Sequence, residues 1–502
     1  MYAVERLAAV RPRAGLLLAL LPGGWLSPLP GHVADSPPPD AARCQLTPPA
    51  MAGGRAPGLI VAADVLLPDG HRADYGVHIR FNGRIGAVGD FEAVRQAHPD
   101  AAQLDCRGRA VLSPGFVNAH EHPAYSYAFP DASLNPGYAH RDEWRLGVGG
   151  KPQLPSPEPL YFDQDDPEAT AALIAMELRH LLGGATAIAG TGGVPGVIRN
   201  VNRHVREGDP VLYDAEAEVS TFPFSPQVVE DLRDECAGGA AYRFPAANDD
   251  LAHMAYVAHV GEGRSSSCAA RAEVARYLER VQRRDRRYAL VHGVATDRAD
   301  YAAMREFDVT LVWSPRSNLA LYGQTVDIAG ALEHDVRLAL STDWSPSGSF
   351  NMREEVACAR QVAGQADAVL SPETLWRMAT VNGAYALGVE DRFGAIEPGL
   401  RADLMLIEYA GGDPYDTVLT ATDEEVLATW IDGRAILVSD QLGEGLGTDD
   451  CVALDGMAPR VCGVLGAFGF PAARFGEYLE NIVPVNDTTG QAACGPPRPG
   501  SP

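Results

Sequence analysis

Residues 111–123 read VLSPGFVNAHEHP, an apolar run that closes on a histidine, one intervening residue and a second histidine. Alternate side chains of an extended strand share a face, so His120 and His122 point together while Glu121 points the other way. Two imidazoles at that spacing can grip one metal ion. A lone pair of this kind is weak evidence, and its weight comes from what lies further along the chain.

Three more apolar runs end in the same manner. AYVAHVGEG (255–263) carries His259, YALVHGV (288–294) carries His292, and VRLALSTDWSPSGS (336–349) carries Asp343. Barrels of eight β/α units build their active sites from residues donated by the carboxyl ends of different strands. Histidine and aspartate are costly to bury unpaired, so packing is a poor account of strand ends that bear only these residues.

The intervening sequence fits the same architecture. From 114 to 390, helix patterns alternate with short apolar strands, and one (β/α)8 barrel needs about 250 residues. One unit is legible in detail: Asp166 caps a helix with Pro167 at its first position, Gly183 ends it, and the strand ATAIAG follows. Another is SPETLWRMATVNGAYALG (371–388), again with a Ser cap and an early Pro. The stretch 215–250 is too irregular for strands three and four to be placed. The predicted fold is therefore α/β, a TIM barrel spanning 114–390. Beside it, LIVAADVLL (59–67) and YGVHIRFNGRIGAVG (75–89) precede the barrel, and ADLMLIEY (402–409) and VLATWIDGRAILV (426–438) follow it. These β-rich runs predict a small β-sandwich domain from 57–113 plus 391–440, built on both sides of the barrel.

A formal net charge of −25 argues against nucleic acid as a partner, because that affinity comes largely from Lys and Arg displacing counterions. A small-molecule substrate is the expected partner, with homo-oligomer formation open. Residues 1–56 carry Arg6, Arg11 and Arg13, then the apolar run 14–21, then a Pro- and Ala-rich stretch. That order suits a cleaved export signal and linker, with a cytoplasmic protein bearing an apolar extension as the alternative. The run is too short for stable membrane insertion. The chain has eight cysteines. Cys451 with Cys462, and Cys236 with Cys268, each bracket a loop that a disulfide could close, while Cys358 reads as buried in a helix. Residues 441–502 form a Cys-, Gly- and Pro-containing extension.

Taken together, PGFVNAHEH, ELRHLLGGATAIAG, HVGEG, LVHGV, WSPRSNLALYG, LSTDWSPSGS, MATVNGAYALG and GAIEPGLRADLMLIE resemble the amidohydrolase superfamily, within it the branch of cytosine, guanine and triazine deaminases and chlorohydrolases. The resemblance implies that His120, His122, His259 and Asp343 bind one divalent transition metal. Zinc is the first choice from ligand type, with iron and manganese also suited. It further implies that His292 faces the reacting centre and that Glu262 is a proton-shuttling carboxylate, so that Glu262, His292 and Asp343 form the catalytic set. Binuclear members bridge two metals with a lysine on the fourth strand. The only lysine here, Lys151, lies well before the second strand, which favours one metal.

The implied reaction is attack of metal-activated water on a carbon–nitrogen bond other than a peptide bond, deamination of a small heterocycle being the leading form. Amide, lactam or carbon–halogen cleavage uses the same water, and a non-catalytic scaffold that keeps the barrel is the rival from another class. Arg316 and Asn318 in WSPRSN and Trp144 in HRDEWR are candidate substrate contacts. For the arginines, pairing with local carboxylates is the competing account.

Overall fold

The computed structural model describes residues 44–49, 58–128, 137–163, 165–190, 192–194, 196–201, 217–220, 255–446, 450–469, 475 and 494. Most of the expected leader and linker, most of the irregular stretch 215–250 with Cys236, and most of the extension beyond 469 lie outside the described residues.

Six strands precede the barrel: β1 (Gln45–Thr47), β2 (Leu59–Leu67), β3 (Gly70–Ile79), β4 (Ile85–Asp90), β5 (Ala102–Asp105) and β6 (Ala110–Pro114). The barrel strands are β7 (Phe116–Asn118), β8 (Ala185–Ile188), β9 (Arg199–Asn200), β10 (Ala217–Ser220), β11 (Ala255–Val260), β12 (Tyr288–His292), β13 (Thr310–Trp313) and β14 (Leu338–Leu340). They pair in sequence order as a three-stranded and a five-stranded sheet, every pairing parallel. The first and last strands also meet: Asp343 N–H donates to the His120 carbonyl at 3.2 Å, and Glu121 bridges Asp343 in parallel register. That contact draws the two sequence-distant ends of the metal-ligand pattern together.

The barrel interior is filled by short side chains, among them Val117, Ala187, Val257, Ala289, Val312 and Ala339. The expected helix over 371–388 is two helices, Pro372–Ala379 and Val381–Leu387, broken at Thr380, whose hydroxyl donates to the Trp376 carbonyl at 2.7 Å. The break lets the second helix lie against the barrel interior, where Ala384, Ala386 and Leu387 join its core. Gly383 is required there, since a Cβ would stand 2.6 Å from the Val117 carbonyl oxygen. The helix Pro167–Leu182 starts and stops as its sequence predicts: Asp166 accepts from Ala169 N–H, Pro leads, and Gly183 is the C-cap.

Segments from both flanks share one eleven-stranded sheet, completed by β15 (Leu404–Glu408), β16 (Val426–Ile431), β17 (Arg434–Val438), β18 (Cys451–Val452) and β19 (Arg460–Cys462). Antiparallel β6 and β15 make the join, with Leu404 opposite Pro114. Cys451 and Cys462 form a disulfide between β18 and β19, as the short loop suggested. Cys44 bonds Cys106, and Cys358 is not merely buried but bonded to Cys494. Among the described residues, no helix is long and apolar enough to cross a membrane.

Candidate active site

The strand-end residues converge. His120 and His122 follow β7 by two and four residues, His259 lies in β11, His292 closes β12, and Asp343 follows β14. One ligand atom each from His120, His122, His259 and Asp343 fit within 4.8 Å of one another, and His259, Glu262 and His292 form a second such group. The Nε2 atoms of His120 and His122 are 3.1 Å apart, and each is 3.3 Å from Asp343 Oδ1. His292 (φ 69°) and Asp343 (φ 59°) both hold left-handed backbone, which non-glycine residues adopt rarely and which aims their side chains off the strand line into the site.

Burial and the Asp343 carboxylate act on the cluster in opposite directions. Burial drives His120 down to about 4 against the opposing hydrogen bond to Asp343, and drives His259 well below its ordinary value, helped by the neighbouring imidazoles. Burial alone would lower His122 too, but its hydrogen bond to Asp343 and that group's charge outweigh it and leave His122 raised. Burial pushes the Asp343 carboxyl up, yet the hydrogen bonds from His120 and His122 hold it well below the usual carboxylate range. His120 and His259 are held neutral beside an ionised carboxylate, and His122, raised by Asp343, would give up its proton to a bound cation, so these residues fit a divalent ion.

A layer of polar contacts braces the cluster. Glu121, pointing away from His120 and His122 as the alternation predicts, is buried and accepts from Asn118 Nδ2 (3.2 Å), His122 N–H (3.0 Å), Ser126 and Thr342. His292 Nδ1 meets Asn318 Oδ1 at 3.0 Å, and Asn318 Nδ2 donates to Thr325. The carbonyl oxygen can only accept, so Nδ1 carries the proton and Nε2 faces Glu262 Oε1, 3.9 Å away. Asn318, expected as a substrate contact, thus orients His292.

The cluster floors a cavity of about 540 Å³ lined by His122, His259, Glu262 and Asp343 and walled by Trp144, Trp344 and Tyr125. Trp144 stands where a substrate contact was expected. Arg316 does not line this cavity: it is buried, with Nε donating to Ser349 Oγ at 2.8 Å and its backbone N–H on Glu355. The charges in 140–145 follow the competing account. Arg141 pairs with buried Glu273, which also accepts from Gly261 N–H, and Arg145 pairs with Asp142 at 3.1 Å. Tyr322 and Ser317, which donate to Glu262 and Asp343, went unread in the sequence; both lie in WSPRSNLALYG, but neither differs locally from an ordinary helix residue.

Residues 111–436 match the model of the Amidohydrolase family. The chain is 26% identical over 401 residues to a 5-methylthioadenosine/S-adenosylhomocysteine deaminase from Syntrophobacter fumaroxidans, covering 72% of this chain and 86% of the relative. A namesake from Teredinibacter turnerae is 32% identical over 164 residues, 30% of this chain and 37% of its own. An S-triazine hydrolase from Gordonia rubripertincta is 24% identical over 253 residues, 50% of this chain and 51% of that one. Among solved structures, the adenosine deaminase from Xanthomonas campestris with bound zinc superposes with a TM-score of 0.55 at 21% identity, covering 84% of this chain and 98% of that one. E. coli guanine deaminase gives 0.53 at 17%, over 75% and 99%. These two likenesses show the fold, a TIM barrel. The protein belongs to the amidohydrolase family and is a hydrolase of carbon–nitrogen bonds.

Proposed function

We propose that the chain deaminates a small heteroaromatic compound by hydrolysis. The observation that carries this reading is the meeting of Glu262 and His292, 3.9 Å apart, beside the His120, His122, His259 and Asp343 cluster, with Glu262, His122, His259 and Asp343 lining one cavity. In this reading those four residues hold a single divalent transition metal, zinc by preference. Three imidazoles and one carboxylate favour zinc while leaving iron and manganese suitable, and the absence of any lysine besides Lys151 favours one ion over two. When bound, such an ion polarises the substrate and lowers the pKa of water at the site to about 7.

The chain's own residues handle the protons and the substrate. In this reading Asp343 and His292 take protons from the attacking water as the carbon–oxygen bond forms, and Glu262 passes them on, one to the ring nitrogen and one to the amino nitrogen, which leaves as ammonia when the carbon–nitrogen bond breaks. Once His292 Nε2 has taken a proton, it can donate a hydrogen bond to the newly bound oxygen of the tetrahedral adduct. The aromatic wall of Trp144, Trp344 and Tyr125 suits a planar ring. Hydrolysis of a substituted triazine is the second reading, favoured by the likeness to the Gordonia rubripertincta hydrolase.

The chain's organisation belongs to the same proposal: a leader and linker to 56, a small β-sandwich from 57–113 and 391–440, the barrel from 114 to 390, and an extension from 441. The single sheet joining both flanks supports it. Export to an oxidising compartment is supported by the disulfides Cys44–Cys106, Cys358–Cys494 and Cys451–Cys462.

The test has two arms. Elemental analysis should find about one transition metal per chain, and His120→Ala and Asp343→Ala should each lose it, as expected when one of four ligands is removed. Aminated heterocycles should release ammonia, with lactams and halogenated triazines assayed alongside and halide read separately. Full metal occupancy in both variants would overturn the ligand assignment. Metal-bound protein inert to every class would leave the scaffold account standing.

A further inference from the structure

Trp144 and Trp344 pack on each other in the cavity wall, with ring centroids 5.7 Å apart and planes inclined by 36°. Each also begins a hydrogen-bond chain, and the two chains end on different carboxylates of the site. Trp144 Nε1–H donates to Tyr322 Oη at 2.8 Å, and Tyr322 donates to Glu262 Oε1 at 2.7 Å. Trp344 Nε1–H donates to Ser347 Oγ at 2.6 Å, Ser347 meets Ser317 at 2.8 Å, and Ser317 donates to Asp343 Oδ2.

The direction of every bond follows from chemistry. An indole N–H can only donate and a carboxylate can only accept, so each hydroxyl between them spends its one proton toward the carboxylate and a lone pair on the donor behind it. Tyr322, Ser317 and Ser347 are fully buried, where such chains are stronger than in water and no solvent competes. Glu262 Oε1 is thereby held, while Oε2 is buried without a hydrogen-bond partner among the described residues. That second oxygen is left for the substrate.

We propose that the tryptophan pair is both a platform for a planar, uncharged heteroaromatic ring and a positioning device. The ring faces take the substrate, and the indole N–H groups fix the rotamers of Glu262 and Asp343. The uncharged character follows from the lining: its one arginine, Arg145, is paired with Asp142, and the rest of the upper wall includes Tyr125, Leu154 and Pro155. The inference rests on the deaminase reading of the same site.

The test uses substitutions that each break one chain, Trp144→Phe, Tyr322→Phe and Ser347→Ala, the first two keeping an aromatic ring, and each is checked for metal content and melting temperature. With a heteroaromatic amine as substrate, each should lower kcat roughly tenfold while KM stays within about twofold, the loss expected when a buried hydrogen-bond chain that ends on a carboxylate is broken. Trp144→Phe combined with Tyr322→Phe should fall no further than the worse single variant, because both break one chain. Trp144→Phe combined with Ser347→Ala should multiply, because they break two. For the platform, Trp344→Leu should raise KM more than Trp344→Phe does. Unchanged kcat in Trp144→Phe and Tyr322→Phe, or multiplied losses within one chain, would overturn the positioning role. Equal KM effects of Leu and Phe at 344 would overturn the platform. Wild-type protein that releases no ammonia would overturn this inference together with the deaminase reading, whereas active wild type with unaffected variants overturns this inference alone.

Discussion

Glu121, Asp343 and Glu262 are three buried carboxylates close to one metal-ligand cluster, and their neighbours divide the labour among them. Glu121 has both oxygens occupied by donors from Asn118, His122, Ser126 and Thr342, which ties the end of β7 to the end of β14. Asp343 offers Oδ1 to the imidazoles and Oδ2 to Ser317. Glu262 alone keeps a buried oxygen without a partner among the described residues, which is the disposition a proton carrier needs. Glu262→Gln preserves the acceptor for Tyr322 and removes the ionisable oxygen, so metal content should stay at the wild-type level while turnover falls on the order of 10²- to 10⁴-fold. Ammonia release within tenfold of wild type would remove Glu262 from that role. The residue itself was legible through its spacing after His259 in HVGEG. Its supporting Tyr322, 60 residues away, was not, because a helix tyrosine that packs and one that donates to a distant carboxylate look the same in sequence.

The helix Pro167–Leu182 shows what caps reveal and what they conceal. Asp166, Pro167 and Gly183 mark its ends, yet nothing local says that every residue from Ala169 to Leu182 is buried, because burial on several faces depends on elements that arrive later in the chain. Glu177 is the consequence. It accepts the backbone N–H groups of Val194 and Ile198, pinning the loop after β8 to the helix. Burial pushes its carboxyl from 4.5 up to about 8, against those two hydrogen bonds. Between these values the folded state binds a proton that the unfolded state has released, so folding stability drops as pH rises from 4.5 to 8, by an amount on the order of a few kcal/mol. Glu177→Gln cannot ionise and escapes that decline. The melting temperature of the variant relative to wild type should therefore climb across this window; a difference that is flat with pH, or that falls, would show that Glu177 does not titrate there.

At the scale of the whole molecule, the barrel was legible where short apolar runs end in chemical residues, which covers β7, β11, β12 and the end of β14. Strands β9 and β10 were not legible: the first has two residues, and the second has four at the edge of an irregular stretch. Long-range joins had no signature at all. Arg199 on β9 and Asp403 just before β15 are 204 positions apart, and both side chains are almost wholly buried. They form a two-pronged pair, Nε to Oδ2 at 2.6 Å and a terminal nitrogen to Oδ1 at 3.0 Å. Asp403 Oδ1 also accepts Asp432 N–H at 2.7 Å, and the Arg199 guanidinium lies 5.1 Å above the Phe393 ring. This pair fastens a barrel strand to the flanking sheet in the interior, where removing one partner leaves an uncompensated charge. Arg199→Met should accordingly destabilise the protein by about 3–5 kcal/mol in urea unfolding, whereas adding Asp403→Leu to it should recover much of that loss, since two apolar groups leave no buried charge behind. The Asp432 N–H would lose its acceptor in the double variant, which sets a residual deficit of about 1–3 kcal/mol. A double variant as unstable as Arg199→Met alone would mean that packing around the guanidinium, and not the buried charge, holds the barrel to the sheet.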